Sequence, residues 1–391
     1  MIKHEYTGIH ASPLRTCVSR RSFVQRLSAT ALLGLSAKAT AEPNTLPALR
    51  KLAGGRPLIG AAVPTNFQKN LALGQIELLK THFDSVTPEN CMKWQDLCPI
   101  EGQYKFEPLD QIVEFAKQHQ QKIVGHTLIF NRDGNYPDWI FKDGTKEADE
   151  KLLWKRIESH VEKVMTRYKD SIDSWDVLNE FVEPNQLGFR ETALTRVLGG
   201  NYPVRLFKFV GEIDPKAKLI YNDFYVENPQ RLKATLNFVR SLREKGCRVD
   251  IVGNQSHIEL KKKSGEAIDA MIKKFTSEGF RCALTELDVD VISRDGAFNP
   301  KNQRAIAERD PYVNGCPDEV LNEQAKEYGE VFQAVMNNHK SVERVTFWGI
   351  SDRNSWLNDW PWKRTNHGLI FDRESKPKPA FHAIAKVLAK G

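Results

Sequence analysis

The chain has 391 residues, 40% hydrophobic and 27% charged, a balance that supports a sizeable folded core and excludes disordered and fibrous classes. Of its formal net charge of +7, most sits at the start: residues 1–41 carry six basic side chains against one acidic one, leaving 51 basic and 49 acidic residues in the remainder. A body of net +2 has no basic footprint for nucleic acid, and the run Lys261–Lys263 reads as a solvated helix face.

The first segment, "SRRSFVQRLSATALLGLSAKATA", joins the pair Arg20 and Arg21, followed by Phe23, to a short apolar stretch and small-residue cleavage sites near Ala37–Ala41. That order predicts a twin-arginine export signal over 1–41 and a periplasmic or extracellular mature protein beginning near Glu42, with a linker over 42–55 and the main folded domain over 56–391. The apolar stretch is too short to span a bilayer, and no later segment reaches 18 consecutive apolar residues. Cys17 belongs to the leader. Cys91, Cys98, Cys247, Cys282 and Cys316 are an odd set with no C-x-x-C pattern. Cys91 and Cys98 are spaced to bridge a loop, and buried free thiols fit the same residues.

Beyond the linker, one rhythm repeats. The apolar runs "PLIGAAV", "FDSVTPEN", "KIVGHTLIF", "IDSWDVLNE", "KLIYNDF", "VDIVGNQSHI", "CALTELDVD" and "RVTFWGIS" read as eight strands. Amphipathic stretches such as "DQIVEFAKQHQ", "LLWKRIESHVEKVMTRYK", "PQRLKATLNFVRSLREKG" and "LNEQAKEYGEVFQAVMNNH" separate them, and "KPAFHAIAKVLAK" closes the series. Nearly continuous apolar strands alternating with helices predict a parallel sheet covered on both faces. Eight such units predict an α/β fold, a single (β/α)₈ TIM barrel.

In such a barrel the chemistry lies at the C-terminal strand ends. Those ends read Glu89 and Asn90, His126, Asn179 and Glu180, Asn222 and Asp223, Gln255 and His257, Glu286 and Asp288, then Trp348 with Trp356 beyond. A solvated terminus explains one polar strand end but not a whole rim of them. The two-residue strand period puts Glu286 with Asp288, and Gln255 with His257. A histidine between carboxylates can hold Glu286 ionised as a nucleophile, with Glu180 across the mouth as the protonated acid. Carboxyls about 5–5.5 Å apart are what retaining glycoside hydrolysis requires. Trp94, Phe130, Trp348, Trp356, Trp360 and Trp362 are expected at the rim as stacking surfaces for sugar rings.

Together, "TPENCMKW", "GHTLIF", "WDVLNE", "NQSHI", "LTELDVD", "TFWGISDRNSWL" and "LIFDRESKPKPAFHAI" resemble glycoside hydrolase family 10, the endo-β-1,4-xylanases, from about Pro57 to Leu388. The resemblance implies a retaining endo-xylanase with Glu180 as acid/base and Glu286 as nucleophile, the latter supported by His257 and Asp288. It further implies that Asn179, His126 and Gln255 bind the sugar at the cleaved position. Glu89, Asn90 and Lys93 would bind the next sugar toward the non-reducing end, and Trp348 and Trp356 would flank the chain. Xylan or a xylo-oligosaccharide would be the substrate of a monomer without metal or organic cofactor. The family usually reads H-T-L-x-W-H on the third strand, whereas this chain has "HTLIFN". Phe130 and Asn131 are therefore expected to alter the non-reducing (glycone) side, and "RDGNYPDW" and "NDWPWKRTNH" to form enlarged loops.

Three other readings use the same residues. A related enzyme acting on another β-glycan, or working as an exo-enzyme, keeps both glutamates. A metal-dependent barrel hydrolase built on His126, His257 and Asp352 lacks the histidine pair expected on the first strand. A non-catalytic sugar-binding barrel has no need of Glu180 and Glu286. The leader reading generates its own test: replacing Arg20 and Arg21 by lysine should trap folded, active protein in the cytoplasm, whereas normal export of that variant would remove the assignment.

Overall fold

The computed structural model describes residues 46–186, 188–294 and 309–391, so the expected export signal lies outside the described residues. Eight strand positions alternate with eight long helices. They are β1 Leu58–Val63, α1 Leu73–His82, β2 Ser85–Pro88, α2 Glu107–Gln118, β3 Lys122–Gly125, α3 Glu150–Tyr168, β4 Ser174–Asn179 and α4 Tyr202–Ile213. There follow β5 Lys218–Asp223, α5 Pro229–Glu244, β6 Ile251–Asn254, α6 Ser264–Ser277, β7 Arg281–Asp290, α7 Asp318–Asn337, β8 Val342–Phe347 and α8 Pro379–Leu388. Two strands resume after a break: β3 at Ile129–Phe130, beside β4, and β6 at His257–Glu259, beside β7.

All barrel pairings are parallel and run β6-β7-β8-β1-β2-β3-β4-β5, with β5 returning to β6, so the sheet closes into the expected barrel. The helix starts follow local chemistry. Asp149 accepts from Leu152 N at 2.8 Å to cap α3, Asn228 accepts from Gln230 N at 3.0 Å to cap α5, and Pro229 and Pro379 supply the fixed φ favoured in a first turn. Their apolar faces bury residues such as Ile157, Val161 and Met165 of α3 against the strands. The run Lys261–Lys263 is not part of a helix. Because β6 continues to Glu259, the chain must turn there, and Lys263 takes a left-handed φ of +52° just before α6.

The cysteines at 91, 98, 247, 282 and 316 are free thiols, and burial pushes Cys91 and Cys282 up to about 12, so neither presents a reactive thiolate. No helix among the described residues is long and apolar enough to cross a membrane.

The sequence of β3 is set by its neighbour. Gly125 lies opposite Trp175 of β4, whose indole is fully buried, and a Cβ on Gly125 would fall inside the van der Waals shell of that ring. A glycine in a central strand is here required by close approach. Gly125→Ala should cost about 1–3 kcal/mol through overpacking, read as a lower urea midpoint with unchanged slope; an unchanged midpoint would show that the indole has room to move.

Candidate active site

β4 begins as an ordinary apolar strand and then departs from alternation. Its pairing with β5 shifts register between Asp176 and Leu178, and Glu180 takes a left-handed φ of +59° immediately after the strand. Regular strand geometry would send consecutive side chains to opposite faces. The turn instead brings Asn179 and Glu180 to the same mouth, where Gln255 Nε2 donates to Glu180 Oε1 at 3.1 Å and to Asn179 Oδ1 at 3.4 Å. The other oxygen of Glu180 accepts from Arg190 Nη1 at 3.0 Å, and Arg132 Nη1 lies 3.6 Å from it.

Glu286 is the second buried carboxylate. Asn222 Nδ2 donates to its Oε1 at 2.8 Å and to Asn179 Oδ1 at 3.0 Å, while Asn222 Oδ1 accepts from Thr285 Oγ1 at 2.6 Å, so this amide uses both hydrogens and its oxygen. Gly253 makes room for it: a Cβ there would sit 2.6 Å from Asn222 Oδ1. On the other side His257 Nε2 lies 3.2 Å from Glu286 Oε2, and His257 Nδ1 lies 2.9 Å from Asp288 Oδ2, which also accepts from Trp356 Nε1 at 2.7 Å. Burial disfavours the charged imidazole, but the charge and hydrogen bonds of Asp288 and Glu286 outweigh it and raise His257 to about 9. Burial likewise pushes Glu286 up, yet the hydrogen bond from His257 and the charges of His126, His257 and Lys93 bring it below the usual carboxylate range. An imidazolium between two carboxylates therefore keeps Glu286 ionised.

A third group lies beside Glu286. Lys93 Nζ donates to Asn90 Oδ1 at 2.9 Å and stands 5.9 Å above the Phe130 ring. Burial raises Glu89 above the usual range against the pull of Lys93 and the hydrogen bond from Asn90, with Glu286 and His126 close enough to contribute. His126 turns Nδ1 to Asp176 Oδ2 at 2.8 Å, which leaves Nε2 for the mouth, and its ring meets Trp348 edge to face at 5.2 Å. Trp356 lies 4.7 Å from the His257 ring and stacks on Trp360 at 4.7 Å. Glu89, Asn90, Lys93, His126, Asn179, Glu180, Gln255, His257, Glu286, Asp288, Trp348 and Trp356 thus all belong to one end of the barrel.

Two expected rim residues lie elsewhere. Trp94 is buried, stacked on His160 at 4.0 Å and edge-on to Tyr136 and Trp139, instead of offering a face to ligand. Asn131 is also buried and does not stand in for a glycone-side imidazole: its Oδ1 accepts from Thr192 Oγ1 and Tyr202 OH, both at 3.0 Å. Three groups central to the network were not singled out by sequence. Asn222 and Asp223 were visible only as polar strand ends, and Arg190 lies in a loop with no periodic signal. Asp223, raised to about 6 by burial against the pull of Arg231 and Tyr221, adds a buried acid behind Glu180.

The ionisation of His257 can be measured. Its imidazole should titrate near 9 and fall toward the ordinary value in Asp288→Asn; titration near 6.5 in the parent protein would contradict the charged triad. Because the folded value lies above the unfolded one, this group's contribution to stability is complete below about 6.5 and is lost as pH rises through about 9.

Known proteins resemble this chain along most of its length. Residues 48–387 match the family described as Glycosyl hydrolase family 10. A thermostable celloxylanase of Thermoclostridium stercorarium is 37% identical over 339 residues, covering 83% of this chain and 84% of its own length. Endo-1,4-beta-xylanase A of Xylanibacter ruminicola is 33% identical, covering 87% of this chain and 93% of its own. Among solved structures, xylanase B of Clostridium stercorarium F9 superposes with a TM-score of 0.79 at 37% identity, covering 87% of this chain and 99% of that one. A mutant solved in complex with xylotriose superposes at 0.78 with 33% identity, covering 86% and 99%. Closed barrel, two glutamates at its mouth and a match along nearly all of the described chain lead to one assignment: the protein belongs to glycosyl hydrolase family 10.

Proposed function

We propose that the protein is an endo-β-1,4-xylanase that cleaves internal xylosidic bonds of xylan with retention, by double displacement between Glu286 and Glu180. The observation that carries the mechanism is the unlike setting of the two carboxyls. Glu286 is held ionised by His257 and Asn222, as a nucleophile needs, while Glu180 stands across the same hydrogen-bonded network, joined to it through Gln255 and Asn179. The names of the relatives support xylan as the substrate.

In the first step an oxygen of Glu286 attacks the anomeric carbon as protonated Glu180 gives its proton to the departing glycosidic oxygen. In the second, Glu180, now ionised, takes a proton from the water that displaces Glu286 and restores the starting state. The Nδ2 group of Asn179 has no hydrogen-bond partner among the described residues, because both bonds it shares with Asn222 and Gln255 use its oxygen. It is the donor best placed for a hydroxyl of the sugar undergoing cleavage. His126 Nε2 is a second such group, with Glu89, Asn90 and Lys93 serving the next sugar toward the non-reducing end. Trp348 and Trp356 line the chain's path beside His257. The leader supports export by the twin-arginine route.

Glu286→Ala should abolish turnover of every substrate. Glu180→Ala should lose xylan hydrolysis by 10²-fold or more, a rough figure for general acid catalysis, while still releasing good aryl leaving groups that need no proton. Equal losses on xylan and aryl xylosides in Glu180→Ala would reverse the assignment, and an inverted anomer in the first-formed product would rule out double displacement. Turnover of mixed-linkage glucan or cellulose in preference to xylan would replace the substrate.

A further inference from the structure

Glu180 is crowded by cations in a way its proposed role does not require. Its Oε1 is taken by Gln255, its Oε2 by Arg190 at 3.0 Å, and Arg132 Nη1 stands 3.6 Å from that same Oε2. Arg190 is within hydrogen-bond distance of that oxygen, whereas Arg132 at 3.6 Å is not.

The two arginines are not equivalent. Arg190 is mostly buried, also pairs with Glu183 at 3.7 Å and lies over the Phe224 ring at 5.3 Å. Arg132 has a side chain 57% exposed, and its ion pair with Glu180 is the one side-chain partner it has among the described residues. The backbone beneath it is nonetheless fixed. Arg132 N donates to Phe130 O at 2.7 Å, the preceding Asn131 is tied to Thr192 and Tyr202, and the following Asp133 accepts from Ala193 N at 2.8 Å. A planar cation on a rigid base, open to solvent at the edge of a glycan cleft, is suited to receive a carboxylate by two parallel hydrogen bonds.

We propose that Arg132 is a specificity residue that reads a carboxylate on a side branch of the glycan, of the uronic acid class. In moving onto that carboxylate it leaves Glu180 to Arg190 and Gln255. Arg132 stays charged throughout, and no covalent bond changes in this step. The inference rests on the xylanase reading given above.

Several charged and polar groups face Glu180. They are Arg132 from the β3 side, Arg190 from the segment after β4, Asp223 of β5 with its partner Arg231 of α5, and neutral Gln255 after β6. Glu286 with His257 lies across the mouth. Of these, Arg132→Gln removes one cation and leaves the rest.

The test compares three xylo-oligosaccharides of equal length: linear, bearing one uronic acid branch, and bearing the same branch with its carboxyl reduced to an alcohol. The parent protein should prefer the acidic over the reduced branch by about tenfold in kcat/KM, the range of a hydrogen bond to a charged group. Arg132→Gln should abolish that preference and Arg132→Lys should keep part of it. A purely structural arginine would not alter the branch ratio. Equal parent rates on acidic and reduced branches, or a preference that survives in Arg132→Gln, overturns the proposal. If the parent cleaves the linear chain without a branch effect, only the role of Arg132 falls; if it cleaves no xylo-oligosaccharide at all, the xylanase reading falls with it.

Discussion

An ionised carboxylate inside a protein is tolerated only if every lone pair facing inward finds a donor, and Glu286 is the point on which the rest of this barrel mouth is arranged. Asn222, His257 and Asp288 come from three successive strands, β5, β6 and the β7 strand that carries Glu286 itself. Their side chains meet only if those strands end at matching heights. The closed parallel sheet supplies that alignment: Asn222 pairs with Gly253, and His257 with Asp288. The cost of burying the charge is thus met by the topology, because no local segment could bring these three groups together.

The same demand accounts for irregular backbone where the sheet would otherwise be regular. Register shifts occur in β4 between Asp176 and Leu178 and in β7 between Cys282 and Leu287, in the two strands that bear the candidate glutamates. In β4 the shift is followed by Asn179 and then Glu180, and in β7 Glu286 lies within the shifted stretch with Asp288 just beyond it. A bulge re-aims side chains without interrupting the strand, so packing and chemistry occupy successive parts of one element. Glu180, in left-handed backbone with its side chain almost wholly enclosed, occupies a conformation that bulk packing alone would not select.

Much of this was legible in the sequence, and for identifiable reasons. Apolar runs ending in polar residues gave both the strands and the rim. The two-residue period alone placed Glu286 beside Asp288, while the break at Ser256 keeps Gln255 and His257 at the same mouth by a different backbone route. What was not legible depends on loops. Trp94 and Asn131 lie just past strands β2 and β3, where strand logic points to the rim, yet the chain bends so that His160, Thr192 and Tyr202 enclose them. Arg132 and Arg190 reach Glu180 from segments with no periodicity, so no pattern in the chain announces them. Asn222 was visible as a strand end, but its double donation depends on Gly253 of the neighbouring strand, a relation between residues 31 positions apart that only the closed sheet reveals.

The enclosure of Asn131 has a consequence for how this enzyme could change. Through Thr192, Tyr202 and the Asp133 contact with Ala193 N, the segment after β3 is fastened to the segment after β4. The two loops therefore form one heritable unit: a substitution drifting into either must be matched in the other, and a chimera that transplants one loop from a relative carrying histidine in place of Asn131 would arrive without its lock. Diversification on this side of the cleft is expected to proceed by exchange of the pair, and the loop after β8 is under the same constraint, since Arg364 and Asn366 tie it to Asp290 of β7.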